Sequence, residues 1–134
     1  MSQRTIVATD RAPAAIGPYS QAVVHGREVW CSGQIAIDPA TNEFQGGDVA
    51  AQAERVMENL AAVLEAAGSG LAHVLRCTIY LVSMDDYAAV NQVYGAAFAG
   101  AEPPARACVA VAGLPKGARV EIDCVAAIPG ADGA

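Results

Sequence analysis

A lone arginine interrupts a small, apolar run in Pro103-Pro104-Ala105-Arg106-Ala107-Cys108-Val109-Ala110-Val111. A guanidinium keeps its charge at any ordinary pH and offers five N–H donors in a planar fork. On a strand among Ala, Cys and Val, that charge is costly unless an anion sits opposite it. The anion is either internal, as a structural ion pair, or a visiting carboxylate or phosphate. A second strand-like run, Val120-Glu121-Ile122-Asp123-Cys124-Val125, carries carboxylates. Arg106 and Glu121 therefore form a static pair, or they are the two ends of a small site. In the second reading one end holds an acid and the other handles a proton or a water.

Other residues join the candidates. Tyr19 sits in a Gly17-Pro18 loop, where a ring closes a pocket or simply packs. Ser32 precedes Gly33 at a strand end and can donate to a ligand, but no His-Asp partnership is available for nucleophilic catalysis. Asn91 falls on the apolar face of a helix; a buried amide must be satisfied, so it is a structural cap or a ligand contact. Cys108 reads as a small buried side chain whose backbone groups matter more than its sulfur. His25 and His73 are isolated, so metal ligation has no support.

The elements that position these residues follow from local signals. Arg4 to Ala8 reads as a short strand. The segment 11–21, with Pro13, Gly17 and Pro18, reads as an ordered loop. Ala22 to His25 and Glu28 to Ser32 flank Gly26-Arg27 as a tight hairpin. Asp38 to Asn42 is turn chemistry. Asp48 is an N-cap for a long helix with Val49, Ala53, Val56, Leu60, Val63, Leu64 and Ala67 on one face, ended by Gly68-Ser69-Gly70. Leu75 to Val82 is a strand with Cys77, Ile79 and Leu81 on one face. Ser83 to Asp86 caps a second helix whose face runs through Tyr87, Val90, Asn91, Tyr94 and Phe98. Two strands, Ala105 to Val111 and Arg119 to Ile128, finish the fold, and about 130–134 is a frayed tail.

The expected fold is α+β: one domain over 1–134, a mixed sheet, and two helices on one of its faces. Alternation on the strand after Pro104 puts Val109 and Val111 toward the helices and Arg106 and Cys108 on the uncovered face. Glu121 and Asp123 share a face, which brings Glu121 near Arg106 if both point away from the helices. The uncovered face carries apolar residues, so self-association is the cheapest way to bury it.

Composition excludes several classes. With 134 residues, 54% of them hydrophobic, one domain has ample core. Fourteen acidic residues against eight scattered basic ones leave a net charge of −6, which argues against a nucleic-acid surface. No signal peptide or membrane-length apolar run is read. The four cysteines lie in strand-like runs outside any Cys-x-x-Cys spacing and read as reduced, buried thiols of a cytoplasmic protein.

Four segments in order resemble the RidA family of reactive enamine/imine deaminases, once labelled L-PSP endoribonucleases. They are 12–22 (Ala-Pro-Ala-Ala-Ile-Gly-Pro-Tyr-Ser-Gln-Ala), Ser32-Gly33-Gln34-Ile35, Asn91-Gln92-Val93-Tyr94 and Pro104-Ala105-Arg106-Ala107-Cys108-Val109. The resemblance spans nearly the whole chain. It implies a chorismate-mutase-like trimer with sites at the subunit clefts, no cofactor and no metal. It implies hydrolysis of 2-iminobutanoate or 2-iminopropanoate, released by pyridoxal-phosphate enzymes, to 2-keto acid and ammonia. Arg106 would grip the substrate carboxylate and Glu121 would handle the attacking water. Tyr19, Ser32, Gly33, Asn91 and Cys108 would line the pocket. Asn42 stands where the family often has Gly, which a left-handed turn tolerates. The partners implied are small 2-imino and 2-keto acids, with no nucleic acid and no membrane. The alternatives are a non-catalytic small-carboxylate binder, a chaperone-like protein, and an endoribonuclease.

Overall fold

The computed structural model describes residues 3–130, so most of the tail expected to fray lies outside the described residues. Six strands form one sheet: β1 (Thr5–Val7), β2 (Ala22–His25), β3 (Glu28–Gln34), β6 (Val74–Leu81), β7 (Ala105–Ala110) and β8 (Val120–Ala127). A two-stranded ribbon, β4 (Ile37–Asp38) with β5 (Glu43–Phe44), brackets the turn read at Asp38 to Asn42. Asn42 adopts φ 58° there, the left-handed conformation that Asn accepts. The helices are α1 (Val49–Ala66) and α2 (Tyr87–Ala97).

The strand order is β1-β2-β3-β8-β6-β7. All pairs are antiparallel except β6 and β7, which are parallel and therefore need the crossover that α2 supplies. The fold is thus α+β with a mixed sheet and two helices. Gly26 at φ 63° makes the β2–β3 turn.

Capping defines α1 at both ends. The Asp48 side chain accepts from the Ala51 N–H at 2.8 Å. At the other end Gly68 takes φ 86°, and the N–H groups of Gly68 and Ser69 bond to the carbonyls of Glu65 and Leu64. This is the Schellman closure that glycine favours. Leu60 and Leu64 on α1, Ile79 and Leu81 on β6, and Ile122 on β8 are fully buried between helix and sheet. Truncating one of these leucines to Ala would cost about 2–5 kcal/mol.

Strand β8 is central and alternates cleanly. Val120, Ile122, Cys124 and Ala126 face the helices, while Glu121, Asp123, Val125 and Ala127 face away. Register carries these faces across the sheet. One row runs Cys31–Cys124–Cys77–Arg106, and the next pairs Ile122 with Ile79 and Ile79 with Cys108. Cys77 and Ile79 are buried against the helices, so Arg106 and Cys108 lie on the helix side.

The expectation for this strand is therefore reversed. Val109 lies on the open face, 43% exposed, with Ile6 and Trp30 also exposed there. The physical reason is that β7 is an edge strand with small side chains on both faces. Hydrophobicity alone gives such a strand no direction; the crossover register does. All four cysteines are free, three buried and Cys108 half-buried. Among the described residues, no helix is long and apolar enough to cross a membrane.

Candidate active site

Buried amides of α1 and the N-terminal loop set the frame. Gln21 is buried, and its side-chain amide donates to the carbonyls of Thr9, Ala12 and Pro13 while accepting from the Thr9 N–H at 2.7 Å. It staples the proline-rich loop that presents Tyr19. Gln52 accepts from the Arg119 N–H at 2.9 Å, just before Glu121. Asn59, fully buried, donates to the Ile37 carbonyl at 3.0 Å and thereby holds the segment after β3.

These staples shape a cavity of about 580 Å³ lined by Tyr19, Ser32, Gly33, Ile37, Lys116 and Glu121, among others. The hydroxyl of Ser32 donates to the Ser20 carbonyl at 2.6 Å, so its proton holds the loop and only its lone pairs face a ligand. Gly33 is there for space. A Cβ at that position would stand 2.1 Å from Oε2 of Glu121, so the carboxylate occupies the room a side chain would need. Among the described residues, Glu121 makes no ion pair or hydrogen bond with a side chain. Burial pushes its pKa above the usual carboxylate range, and the neighbouring Asp123 pushes the same way. Asp123 itself accepts from the Tyr80 hydroxyl at 3.0 Å.

Arg106 occupies a second hollow, about 450 Å³, at the sheet edge, lined also by Asn91, Tyr94, Phe98 and Pro104. Its Nη1 donates to Oδ1 of Asn91 at 2.5 Å, and its Nη2 to the hydroxyl of Tyr87 at 2.7 Å. The Cζ lies 5.0 Å from the Tyr94 ring centre and 5.5 Å from that of Tyr87. All of these partners are neutral, and no carboxylate pairs with Arg106 among the described residues. The Tyr94 hydroxyl is buried without a well-formed hydrogen bond, beside the Cys77 thiol, and burial raises the pKa of both groups.

The structure thus divides the candidates. Tyr19, Ser32, Gly33 and Glu121 come together; Asn91 and Arg106 come together elsewhere, with Cys108 on the same face as Arg106. Arg106 and Glu121 point to opposite faces of the sheet, so they are not an internal salt bridge. Asn91 is exposed rather than buried, and the amide caps nothing; it holds the arginine. Burial raises the Cys108 thiol pKa, which leaves it a weak nucleophile. Sequence reasoning missed Tyr87 and Tyr94 as partners of Arg106. Their spacing with Asn91 on α2 was the available signal, and it read as packing.

Known proteins resemble this chain over nearly its whole length. A family model described as endoribonuclease L-PSP matches residues 9–128. Protein DfrA of Myxococcus xanthus is 58% identical over 125 residues, covering 92% of this chain and 95% of the relative. The 2-iminobutanoate/2-iminopropanoate deaminase of Mus musculus is 43% identical over 123 residues, covering 92% and 90%. The crystal structure of RidA from the Antarctic bacterium Psychrobacter sp. PAMC 21119 superposes with a TM-score of 0.88 at 46% identity, covering 92% of this chain and 99% of that one.

Proposed function

We infer the function from one premise: the chain belongs to the endoribonuclease L-PSP family, which includes RidA and the 2-iminobutanoate/2-iminopropanoate deaminases. The proposed reaction is hydrolysis of a 2-imino acid, or its enamine tautomer, to a 2-keto acid and ammonia. One observation carries the reading. The guanidinium of Arg106 is bonded only to neutral groups, and the Glu121 carboxylate stands in its cavity with no ion pair among the described residues, Lys116 of the same lining included. Each charge is thus left without an ionic partner among the described residues.

In this reading, Arg106 takes the substrate carboxylate on two of its remaining N–H donors and orients the C=N carbon. Glu121 removes a proton from water as the water oxygen bonds to that carbon. The C=N π pair moves to nitrogen, which receives the proton held by Glu121. Glu121 then takes the proton of the new hydroxyl and passes it to the same nitrogen; the C–N bond breaks, ammonia leaves and the carbonyl forms. Ser32 lone pairs and backbone groups near Gly33 and Cys108 are available to the water and the polar substrate atoms. The chemistry needs a grip, a base and water, and calls on no cofactor.

Because Arg106 and Glu121 lie on opposite faces of one sheet, a pocket using both requires two chains. The exposed Ile6, Trp30 and Val109 on the helix-free face are apolar surface for a neighbour. We propose a homotrimer of chorismate-mutase-like subunits with sites in the clefts between them, in the cytoplasm. The deciding measurement follows keto acid and ammonia after a threonine or serine dehydratase, with and without the purified protein. Sedimentation of the same sample reports the oligomer. Faster keto-acid release by a trimer supports the reading; a folded protein that leaves the buffer rate unchanged, or a stable monomer that is fully active, overturns it.

The family's endoribonuclease designation favours a second reading, RNA cleavage. The acidic net charge of −6 and dispersed cations speak against it. Cleavage of single-stranded RNA that persists through purification and disappears with Glu121→Gln would reinstate it. A non-catalytic carboxylate binder would keep the Arg106 grip and be indifferent to Glu121.

A further inference from the structure

We propose that the hydroxyl of Tyr87 is a further binding group for the substrate carboxylate, acting beside Arg106. The inference rests on the deaminase reading above. Tyr87 opens α2, with Asn91 four residues on and Tyr94 seven, so the three share one helix face above Arg106. The Tyr87 oxygen accepts a hydrogen bond from Nη2 of Arg106, so its own proton must point elsewhere. Among the described residues that proton has no acceptor, and Tyr87 is 37% exposed. The Asn91 amide is in the same position: its oxygen is taken by Arg106, which leaves its N–H donors free.

The surroundings are rich in donors and poor in acceptors. Asp86, the carboxylate beside Tyr87 in the chain, is turned to Arg119 at 2.7 Å and is mostly buried. Of the five N–H donors of Arg106, two are used on Asn91 and Tyr87, and three remain. A carboxylate seated on that edge meets the fork and, next to it, the phenol proton. The same bond from Nη2 to the Tyr87 oxygen fixes the guanidinium plane, so Tyr87 both orients the fork and adds a donor. A phenylalanine ring would keep the packing and the cation–π contact and lose both polar functions.

The test uses Tyr87→Phe in the full-length protein, with 2-oxobutanoate as the binding probe and the coupled imine assay for turnover. Tyr87→Phe is expected to raise the Kd for 2-oxobutanoate and the KM for imine about tenfold, with kcat within about threefold and Tm unchanged. In an Arg106→Ala background the same substitution should add nothing, because the two groups act as a unit. Binding within about twofold of wild type overturns the proposal. So does a loss that tracks a lowered Tm, or one that persists undiminished without Arg106. A wild-type protein that neither binds 2-oxobutanoate nor hydrolyses imine overturns the deaminase reading and this inference with it. Active wild type with a silent Tyr87→Phe overturns this inference alone.

Discussion

The guanidinium of Arg106 is gripped by an amide, a hydroxyl and two aromatic rings, whereas the Glu121 carboxylate is gripped by none of these. It is instead placed by exclusion, filling the gap that Gly33 leaves in β3. The arginine sits at an open sheet edge on small residues; the glutamate sits on the central strand, half-buried beside another carboxylate. An arginine cannot shed its charge, so neutral contacts orient it while leaving the charge for a ligand. A carboxylate can shed its charge, so burial tunes its basicity. In the proposed mechanism, the difference between the two regions is that between a holder and a proton carrier.

Removing the holder should have the largest effect. Arg106→Ala takes away the partner of the substrate's fixed charge, a loss of about 2–5 kcal/mol or roughly 30-fold to several thousand-fold in carboxylate affinity. Arg106→Lys should recover only part, since an ammonium cannot reproduce the planar two-point contact with Asn91 and Tyr87 in place. The fold should tolerate both changes, because no internal anion is left unpaired. Calorimetric titration with 2-oxobutanoate, alongside Tm, checks this. Wild-type affinity in a folded Arg106→Ala would remove the holder from the mechanism.

Disturbing the placement of the carrier comes next. Gly33→Ala puts a methyl group 2.1 Å from Oε2 of Glu121, so the carboxylate must swing away. The swing is at the far end of a flexible side chain and should barely alter Tm. A base misplaced by about an ångström should cost on the order of 100-fold in turnover, with 2-oxobutanoate binding retained because Arg106 is untouched. Turnover close to wild type would mean that the position of Glu121 does not matter.

The contrast also explains what the sequence made legible. Gly26, Asp48 and Gly68 announce a hairpin, an N-cap and a C-cap through local chemistry, and the elements lie within a residue or two of where those signals put them. The four ordered motifs carried the family. The orientation of β7 was hidden, because Ala105, Ala107, Cys108 and Val109 give neither face a claim and register depends on a crossover through α2. With it went the belief that Arg106 and Glu121 share a face. Tyr87 and Tyr94 were seen at helical spacing, but spacing cannot tell a stripe that packs on a core from one that packs on a cation. The crowding of Glu121 against Gly33 was equally invisible, since it depends on the register of two strands distant in sequence.

The smallest expected effect tests the tuning of the carrier. Burial first, and Asp123 second, hold the Glu121 pKa above the ordinary carboxylate range. A base must be ionised, so the acid limb of the kcat/KM profile should lie above that range and reflect this group. Asp123→Asn removes the like charge while its amide oxygen can still accept from the Tyr80 hydroxyl. The limb should then move to lower pH, with kcat at neutral pH within about twofold. The sign for stability follows from the same shift. A carboxyl group whose folded pKa is raised favours the fold when protonated, and that contribution is lost as pH rises through the folded value. Glu121→Gln should therefore raise Tm at neutral pH, and the gain should vanish below the unfolded carboxylate range, even as turnover falls. An acid limb that stays put in Asp123→Asn, or a Glu121→Gln protein less stable at neutral pH than wild type, would show that Glu121 is not held in tension by its burial and its neighbour.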